Sequence, residues 1–133
     1  MKKLFTILFV TIITSCNAPL EPPKNNSDYR NIIGKPIKFD SIEIAQYNFP
    51  EKMNWDEANK ACKELGHGWV LPTKKRLNIL FKNKDKIGGF MYVTYWSSTQ
   101  YGFDRARCQN FITGYQGIGY IKYSAYVRAV RIL

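Results

Sequence analysis

The stretch Asn54–Thr73, NWDEANKACKELGHGWVLPT, carries the strongest fold signals in the chain. Asn54 is a suitable N-cap because its side chain can accept a hydrogen bond from a first-turn N–H, and Glu57 is placed to complete a capping box. Apolar residues then recur at helical spacing until Gly66, which can end a helix in the left-handed conformation. This pattern predicts a helix over about residues 55–65.

A second helix is predicted to begin after Thr73, another natural N-cap, with Leu77, Leu80 and Phe81 as its buried stripe. It carries a basic cluster made of Lys74, Lys75, Arg76, Lys82, Lys84 and Lys86. Three cations in the first turn oppose the helix dipole, at about 0.3–1 kcal/mol each when exposed and at low salt. This arrangement suggests the hypothesis that the basic cluster contacts something anionic. The lysine-rich composition favours the other explanation, a solvated lysine-rich face.

The first fifteen residues have the organisation of an export signal. Two lysines precede the apolar run Leu4–Ile13, which is too short to span a bilayer comfortably. The residues ITSC that end at Cys16 resemble the lipobox of bacterial lipoproteins. The resemblance implies acylation of Cys16, cleavage before it, and stable anchoring to a membrane of the bacterial cell envelope. An ordinary secretory signal is the alternative.

One folded domain is predicted to follow a linker. Residues 16–33 include three prolines together with asparagine, serine and charged residues, which is typical of a flexible linker. Residues 34–133 contain strand signals at 37–49, 106–112 and 126–133, and a pair of glycines, Gly117 and Gly119, that indicates another hairpin. With the two helices, these signals predict an α+β domain.

The charge balance is strongly basic, with twenty Lys and Arg residues against ten Asp and Glu. Removal of the signal segment would leave the chain basic. A basic surface favours anionic partners such as acidic glycans or lipid headgroups, whereas nucleic acid is not the partner we expect of an exported protein. Solubility is the alternative explanation of the charge.

Aromatic residues are concentrated in the C-terminal half, where seven of the nine tyrosines follow residue 91. Tyrosine provides contact area at low entropic cost and is common on recognition surfaces, although it is also a good strand residue. The predicted ligand surface consists of Tyr101, Phe103, Arg105, Arg107, Tyr115, Gln116, Tyr120 and Tyr123.

Six landmarks occur in a fixed order: NWDEANKACKELG, GWVLPT, IGGF, YWSST, the spacing of Ala106, Phe111 and Gly114, and YVRAVR. Together they resemble the Lcl C-terminal domain family, a domain of unknown function named after a collagen-like bacterial adhesin. The match covers roughly residues 42–132. The resemblance implies a C-type-lectin-like fold, with two helices packed on a twisted antiparallel sheet. Trp55, Trp69 and Trp96 would lie in its core.

The chain departs from the family pattern at three places, one of which is near Arg76, where the family usually has a Glu that would complete a capping box with Thr73. Val70 stands where the family usually has Arg, and Ala129 stands where it often has a Cys that can bridge the helix cysteine. The resemblance therefore implies that Cys62 either pairs with Cys108 or that both thiols stay reduced. A disulfide closing a loop of this length could add about 4 kcal/mol in the chain-entropy model.

Residues for chemistry are sparse. His67 is the single histidine, and Asp104 is the only acid after residue 86. The paired-acid calcium motifs of sugar-binding C-type lectins are absent, and no catalytic, metal-binding or cofactor-binding pattern is present. We therefore predict a lipid-anchored envelope protein with a noncatalytic lectin-like domain that binds an acidic glycan or a protein. The alternative is a structural subunit of an envelope complex, and an enzyme is the weakest reading.

Overall fold

Two helices, a one-turn helix and two small antiparallel sheets make up the fold. The structure, a computed structural model, describes residue 29 and residues 31–133, so the predicted signal segment and Cys16 lie outside the described residues. The elements in chain order are β1 Ile37–Phe39, β2 Ile42–Ile44, α1 Trp55–Glu64, α2 Lys74–Lys82, α3 Lys84–Ile87, β3 Thr94–Tyr101, β4 Arg105–Asn110, β5 Gln116–Tyr120 and β6 Val130–Ile132. The predicted α+β architecture, with helices packed on antiparallel sheet, is confirmed.

The two sheets have the strand orders β1-β2-β6 and β3-β4-β5. In the first sheet the last strand pairs with one of the earliest, because Ile132 lies opposite Ile42 and Val130 opposite Ile44. An isolated bridge between Met53 and Ala125 ties the two halves of the domain together again. The end of the chain therefore closes the fold against its beginning.

The helix α1 begins and ends as its sequence predicts. The backbone N–H of Glu57 donates to the Asn54 side chain at 2.9 Å, and the N–H of Asn54 donates to the Glu57 carboxylate at 3.1 Å. Both hydrogen bonds of the capping box are thus present. Leu65 is the C-cap, and Gly66 follows it with φ of +74°. Within described residues no helix is long and apolar enough to cross a membrane.

The helices lie on opposite faces of the β3-β4-β5 sheet. The face toward α1 carries the first core, in which Trp96 packs with Trp69 and with buried residues of α1. The face toward α2 carries the second core, in which Tyr95 and Phe111 pack against Leu77 and Leu80. Side chains of adjacent strand residues point to opposite faces, so Tyr95 and Trp96 serve different cores.

The three tryptophans converge, as predicted. Trp69 and Trp96 are both 2% exposed, and Trp55 is half-buried against the same core. The indole N–H of Trp96 donates to the Met53 carbonyl at 2.9 Å, and that of Trp55 donates to the Ser97 carbonyl at 2.8 Å. The indole N–H groups of Trp55 and Trp96 are thereby satisfied, which removes the cost of burying them.

Gly117 and Gly119 lie inside the strand β5 and not in a turn; the turn of the β4-β5 hairpin contains Gly114, with φ of +80°. The two glycines face the first core. A Cβ at Gly119 would lie 2.9 Å from Cη2 of Trp96, and one at Gly117 would lie 3.2 Å from Cε1 of Tyr115. Close approach of aromatic rings therefore explains these glycines.

Two predicted strands are shorter than their sequence signals. Asp40, with φ of +55°, turns the chain between β1 and β2, and only Val130–Ile132 of the C-terminal run forms β6. The packed region also extends into the predicted linker. Ile32 is buried, and the ring of Tyr29 lies 5.0 Å from that of Phe49 in an edge-to-face contact. Apolar residues at 29–33 thus join the core before the predicted boundary at residue 34.

Candidate ligand-binding surface

The outer face of the β3-β4-β5 sheet is covered at one end only. There two amide hydrogen bonds join α2 to the sheet: Gln109 donates to the Asn78 side chain at 2.9 Å, and Gln116 donates to the Lys74 carbonyl at 2.9 Å. Gln109 also donates to the Gly114 carbonyl in the β4-β5 turn at 3.0 Å. Beyond this seam the face is open. It carries the side chains of Arg105 and Arg107.

Two arginines of β4 share one aromatic ring. The guanidinium carbon of Arg107 lies 4.7 Å from the ring centroid of Tyr101, and that of Arg105 lies 5.2 Å from it. Both distances are within the range of cation–π attraction, worth roughly 0.5–1 kcal/mol at exposed sites. Tyr101 lies opposite Arg105 in the strand register. The ring therefore holds two positive charges close together on the central strand β4, on the face that α2 leaves open.

The charge of this pair is weakly compensated. The Nε of Arg105 is buried and lacks a hydrogen bond, although it lies 3.4 Å from a carboxylate oxygen of Asp104, within ion-pair range. Asp104 is partly exposed, and no further acid follows residue 86 in the sequence. The two arginines therefore keep donor groups that a ligand carboxylate, sulfate or phosphate can accept.

Exposed apolar side chains surround the arginine pair. Phe103 is 87% exposed at the tip of the β3-β4 hairpin. Ile118 and Tyr120 lie opposite Arg107 and Arg105 on β5, and the rings of Tyr120 and Tyr123 meet edge to face at 5.7 Å. We call this set, consisting of Tyr101, Phe103, Arg105, Arg107, Tyr120 and Tyr123, the Arg–Tyr face.

Two residues of the predicted ligand surface lie elsewhere. Gln116 is engaged in the seam, since its amide donates to Lys74 and to the Gln109 side chain at 3.3 Å. Tyr115 is exposed, but its ring lies against Gly117 on the other face of β5. The alternation of strand side chains separates it from the Arg–Tyr face.

The predicted basic cluster is divided between two places. Lys74 and its neighbours in the first turn of α2 adjoin β5, because the Lys74 carbonyl accepts from Gln116. Lys82 ends α2, and Lys84 lies in α3, where its ammonium nitrogen is 4.6 Å from the Phe81 ring. A nine-residue helix is about 13 Å long, so its two ends do not form one site. Within the described part of the chain, none of the six cations forms an ion pair.

A separate cavity of about 240 Å³ lies beside the Gly88-Gly89 loop. Its walls include Lys84, Asp85, Phe90 and Tyr92. Residues 31–133, together with residue 29, contain no group of three His, Cys, Asp or Glu side chains that could hold a metal ion.

Cys62 and Cys108 are both free thiols in the structure. This is the reduced state, one of the two arrangements that the sequence analysis considered. Burial raises the pKa of the Cys62 thiol far above its ordinary value, and burial also raises the pKa of Cys108. A thiol held protonated is a poor nucleophile, because the thiolate is the reactive form. A disulfide between Cys62 and Cys108 stays the other of the two alternatives.

Sequence reasoning did not anticipate Arg128, which is almost completely buried. Its guanidinium donates to the carbonyls of Ala45, Gln46 and Gly88 at 2.6, 2.8 and 3.2 Å, and it lies 4.5 Å from the Phe90 ring. Burial lowers its pKa to about 10, so it stays charged at neutral pH. Arg128 joins distant loops and is a structural residue, a role for which the local sequence has no signal.

Solved structures with similar folds are known. The chain resembles botrocetin, a snake venom protein, with a TM-score of 0.56 and 11% sequence identity, over 75% of this chain and 98% of that one. It also resembles EMS16, described as an antagonist of the collagen receptor integrin α2β1, with a TM-score of 0.56 and 13% identity, over 74% of this chain and 97% of that one.

The chain has a C-type-lectin-like fold. The C-type-lectin-like domain in a complex of botrocetin with the von Willebrand factor A1 domain is similar as well, with a TM-score of 0.53, 13% identity, and coverage of 75% of this chain and 98% of that one. No family model matches the sequence, and no curated protein is significantly similar to it in sequence. At these identities the likeness establishes the C-type-lectin-like fold, which the sequence analysis predicted.

Proposed function

We propose that this protein is anchored by lipid to a membrane of the bacterial cell envelope, where its C-type-lectin-like domain binds an acidic glycan or protein without catalysis. The binding site is the Arg–Tyr face. The observation that carries the proposal is the placement of two guanidiniums, Arg105 and Arg107, on the single exposed ring of Tyr101. The cluster lies outside both cores, and the Arg105 side chain is 43% exposed.

Physical considerations support an anionic ligand. Arginine donors in a planar fork match the geometry of carboxylate, sulfate and phosphate groups, and a tyrosine ring beneath them limits the entropy lost when they become ordered. The exposed aromatic side chains Phe103 and Tyr123 supply apolar contact area around the charges. The surface therefore combines a charged centre with an aromatic surround.

One structural comparison and one resemblance noted in the sequence support binding as the activity. A botrocetin structure of similar fold was solved in complex with the von Willebrand factor A1 domain, so this fold can present a protein-binding surface. The Lcl C-terminal domain family, which the sequence resembles, is named after an adhesin. The lipobox-like residues that precede Cys16 support anchoring.

Charge reversal tests the proposal. The variant Arg105→Glu/Arg107→Glu of the full chain should bind immobilised heparin and an acidic protein at least about tenfold more weakly, or about 1.4 kcal/mol. The control Lys35→Glu/Lys63→Glu has the same net charge but alters exposed cations far from the Arg–Tyr face, and it should bind nearly as the wild type does. Equal loss in both variants would show a nonspecific effect of charge.

At about 0.05 M salt, exposed charges are weakly screened. If the wild type and both variants fail to bind heparin and the acidic protein under these conditions, the ligand-binding function is rejected. The domain would then fit the alternative, a structural subunit of an envelope complex.

A further inference from the structure

The strand β5 is the outer edge of its sheet, since it pairs with β4 and with no other strand in the described region. Hydrogen bonds on either side of the ladder fix its orientation. The N–H of Asn110 donates to the Tyr115 carbonyl at 2.9 Å, and that of Ile121 donates to the Asp104 carbonyl at 3.0 Å. Because antiparallel pairing alternates, Gly117 and Gly119 direct their backbone groups toward β4.

The β5 residues that alternate with these two glycines direct their backbone groups away from the sheet. The N–H groups of Gln116, Ile118 and Tyr120 point outward in this register, as do the carbonyls of Gln116 and Ile118. The Tyr120 carbonyl accepts a hydrogen bond from the Tyr123 N–H at 3.0 Å. Ile118 thus presents both a free donor and a free acceptor, spaced as the next strand of a sheet requires.

This edge lacks the features that usually protect an edge strand. The corresponding edge of the other sheet, β1, is preceded by Lys35 and Pro36 and contains Lys38, and lysine and proline both discourage strand pairing. The segment Gln116–Tyr120 has neither charge nor proline. Its side chain Ile118 is 41% exposed. Exposed polar backbone beside exposed apolar side chains is the arrangement that takes up an extended peptide.

We propose that β5 binds an extended segment of a partner protein by β-strand addition, and that this segment has an apolar centre and acidic flanks. The inference rests on the proposed function and selects a protein as its ligand. Lys74 lies at the Gln116 end of the edge, and Lys122 follows its other end. Ile118 and Tyr120 lie between these cations. The charges therefore match acidic residues at both ends of the added strand.

The same charges disfavour a second copy of this chain as the occupant. Antiparallel pairing of two β5 strands about Ile118 would bring Lys74 of one copy toward Lys122 of the other. Like charges opposite each other destabilise a strand pair. An acidic partner removes this repulsion and gains attraction at both ends.

Hydrogen exchange of the full chain tests the inference, with the synthetic peptide EEVTVEE as the probe. In the free protein the Ile118 amide should exchange rapidly, whereas the Gly117 and Gly119 amides, which bond to β4, should be protected. Addition of EEVTVEE should slow exchange at Ile118. The same peptide N-methylated at its three central residues should not, because it cannot donate to the edge. KKVTVKK should bind more weakly.

A pair of variants separates backbone from side-chain contacts. Ile118→Pro removes the outward N–H without breaking a bond to β4, as edge positions allow. It should weaken binding of EEVTVEE at least about tenfold, whereas Ile118→Ala, which keeps the N–H, should weaken it about threefold or less. Protection at Gly117 and Gly119 reports whether each variant keeps the sheet. If Ile118→Pro does not keep it, the N-methylated peptide decides.

Three outcomes would overturn strand addition. Slow exchange of the Ile118 amide in the free chain would mean that the edge is already occupied, by another segment or by a second copy. Equal binding by Ile118→Pro and Ile118→Ala would place the ligand on side chains alone; heparin binding that still depends on Arg105 and Arg107 would then preserve the proposed function. Failure of EEVTVEE to bind better than KKVTVKK would exclude an acidic partner.

Discussion

The indole ring of Trp96 lies directly against the backbone of Gly119, so that a Cβ at this glycine would come within 2.9 Å of Cη2. The contact explains why this edge strand has a residue without a side chain at position 119. It also brings the β5 backbone close to the core, while the backbone groups of Ile118 point away from β4. Packing of one buried ring thus determines the form of the proposed docking edge.

This contact predicts an unequal response to two alanine substitutions. Gly119→Ala should destabilise the domain by about 1–3 kcal/mol, since the large ring of Trp96 has no room to withdraw. Gly117→Ala should cost less, because its neighbour, the exposed ring of Tyr115, can move away. Urea unfolding of both variants measures the difference, and equal costs would contradict the packing account.

Closure of the chain depends on Glu43 and Arg131, whose side chains form an ion pair across the β2-β6 pairing. The Arg131 guanidinium also lies 4.8 Å from the Trp69 ring. Glu43→Gln should cost about 1–3 kcal/mol, because it weakens a largely buried charge-assisted hydrogen bond.

The exposed ion pair of Lys60 and Glu64 is the matched control, at 3.8 Å on the surface of α1. Glu64→Gln should change stability by about 0.5 kcal/mol or less. Thermal unfolding measures both substitutions. A larger effect for Glu64→Gln than for Glu43→Gln would show that burial does not decide the strength of these pairs.

The thiol of Cys62 should make stability depend on pH in the alkaline range. Burial raises its pKa in the folded state above the ordinary value of 9.0, so the unfolded chain loses this proton first as pH rises. Stability from this group is fully present below pH 9.0 and then falls by about 1.4 kcal/mol per pH unit.

Urea unfolding at several pH values, in the presence of a reductant, checks the effect. The difference in unfolding free energy between wild type and Cys62→Ala isolates the contribution of this thiol, because tyrosines and lysines that titrate in the same pH range contribute equally to both proteins. An identical pH dependence in both proteins would contradict the sign and the origin of the effect. Under oxidising conditions, loss of the dependence would indicate that Cys62 forms a disulfide with Cys108.

Anchoring through Cys16 is a prediction of the sequence that lies outside the described residues. The native protein should have a mass that corresponds to cleavage before Cys16 with acyl chains on the new terminus, and it should sediment with membranes. Cys16→Ser should abolish both. An unmodified Cys16 with Met1 still attached would reject the lipoprotein proposal.

Much of the local structure followed from sequence patterns. The capping box of Asn54 and Glu57 placed the start of α1, since both hydrogen bonds form between residues three apart. Gly66, which follows the last apolar residue of the helical pattern, predicted the end of α1. Ordered landmarks around the three tryptophans led to the C-type-lectin-like fold. In each case the interaction is local, or the pattern is long enough to identify a common architecture.

Tertiary structure decided the remaining features. Gly117 and Gly119 are turn signals by composition, but they lie in a strand because Trp96 and Tyr115 occupy the space of their side chains. Arg128 reads as a charged strand residue, yet carbonyls from distant loops bury it. The sequence alone determined the two main helices, their N-caps and the basic charge. Which side chains meet on the Arg–Tyr face, and which strand is left as a free edge, depended on contacts between residues far apart in the chain.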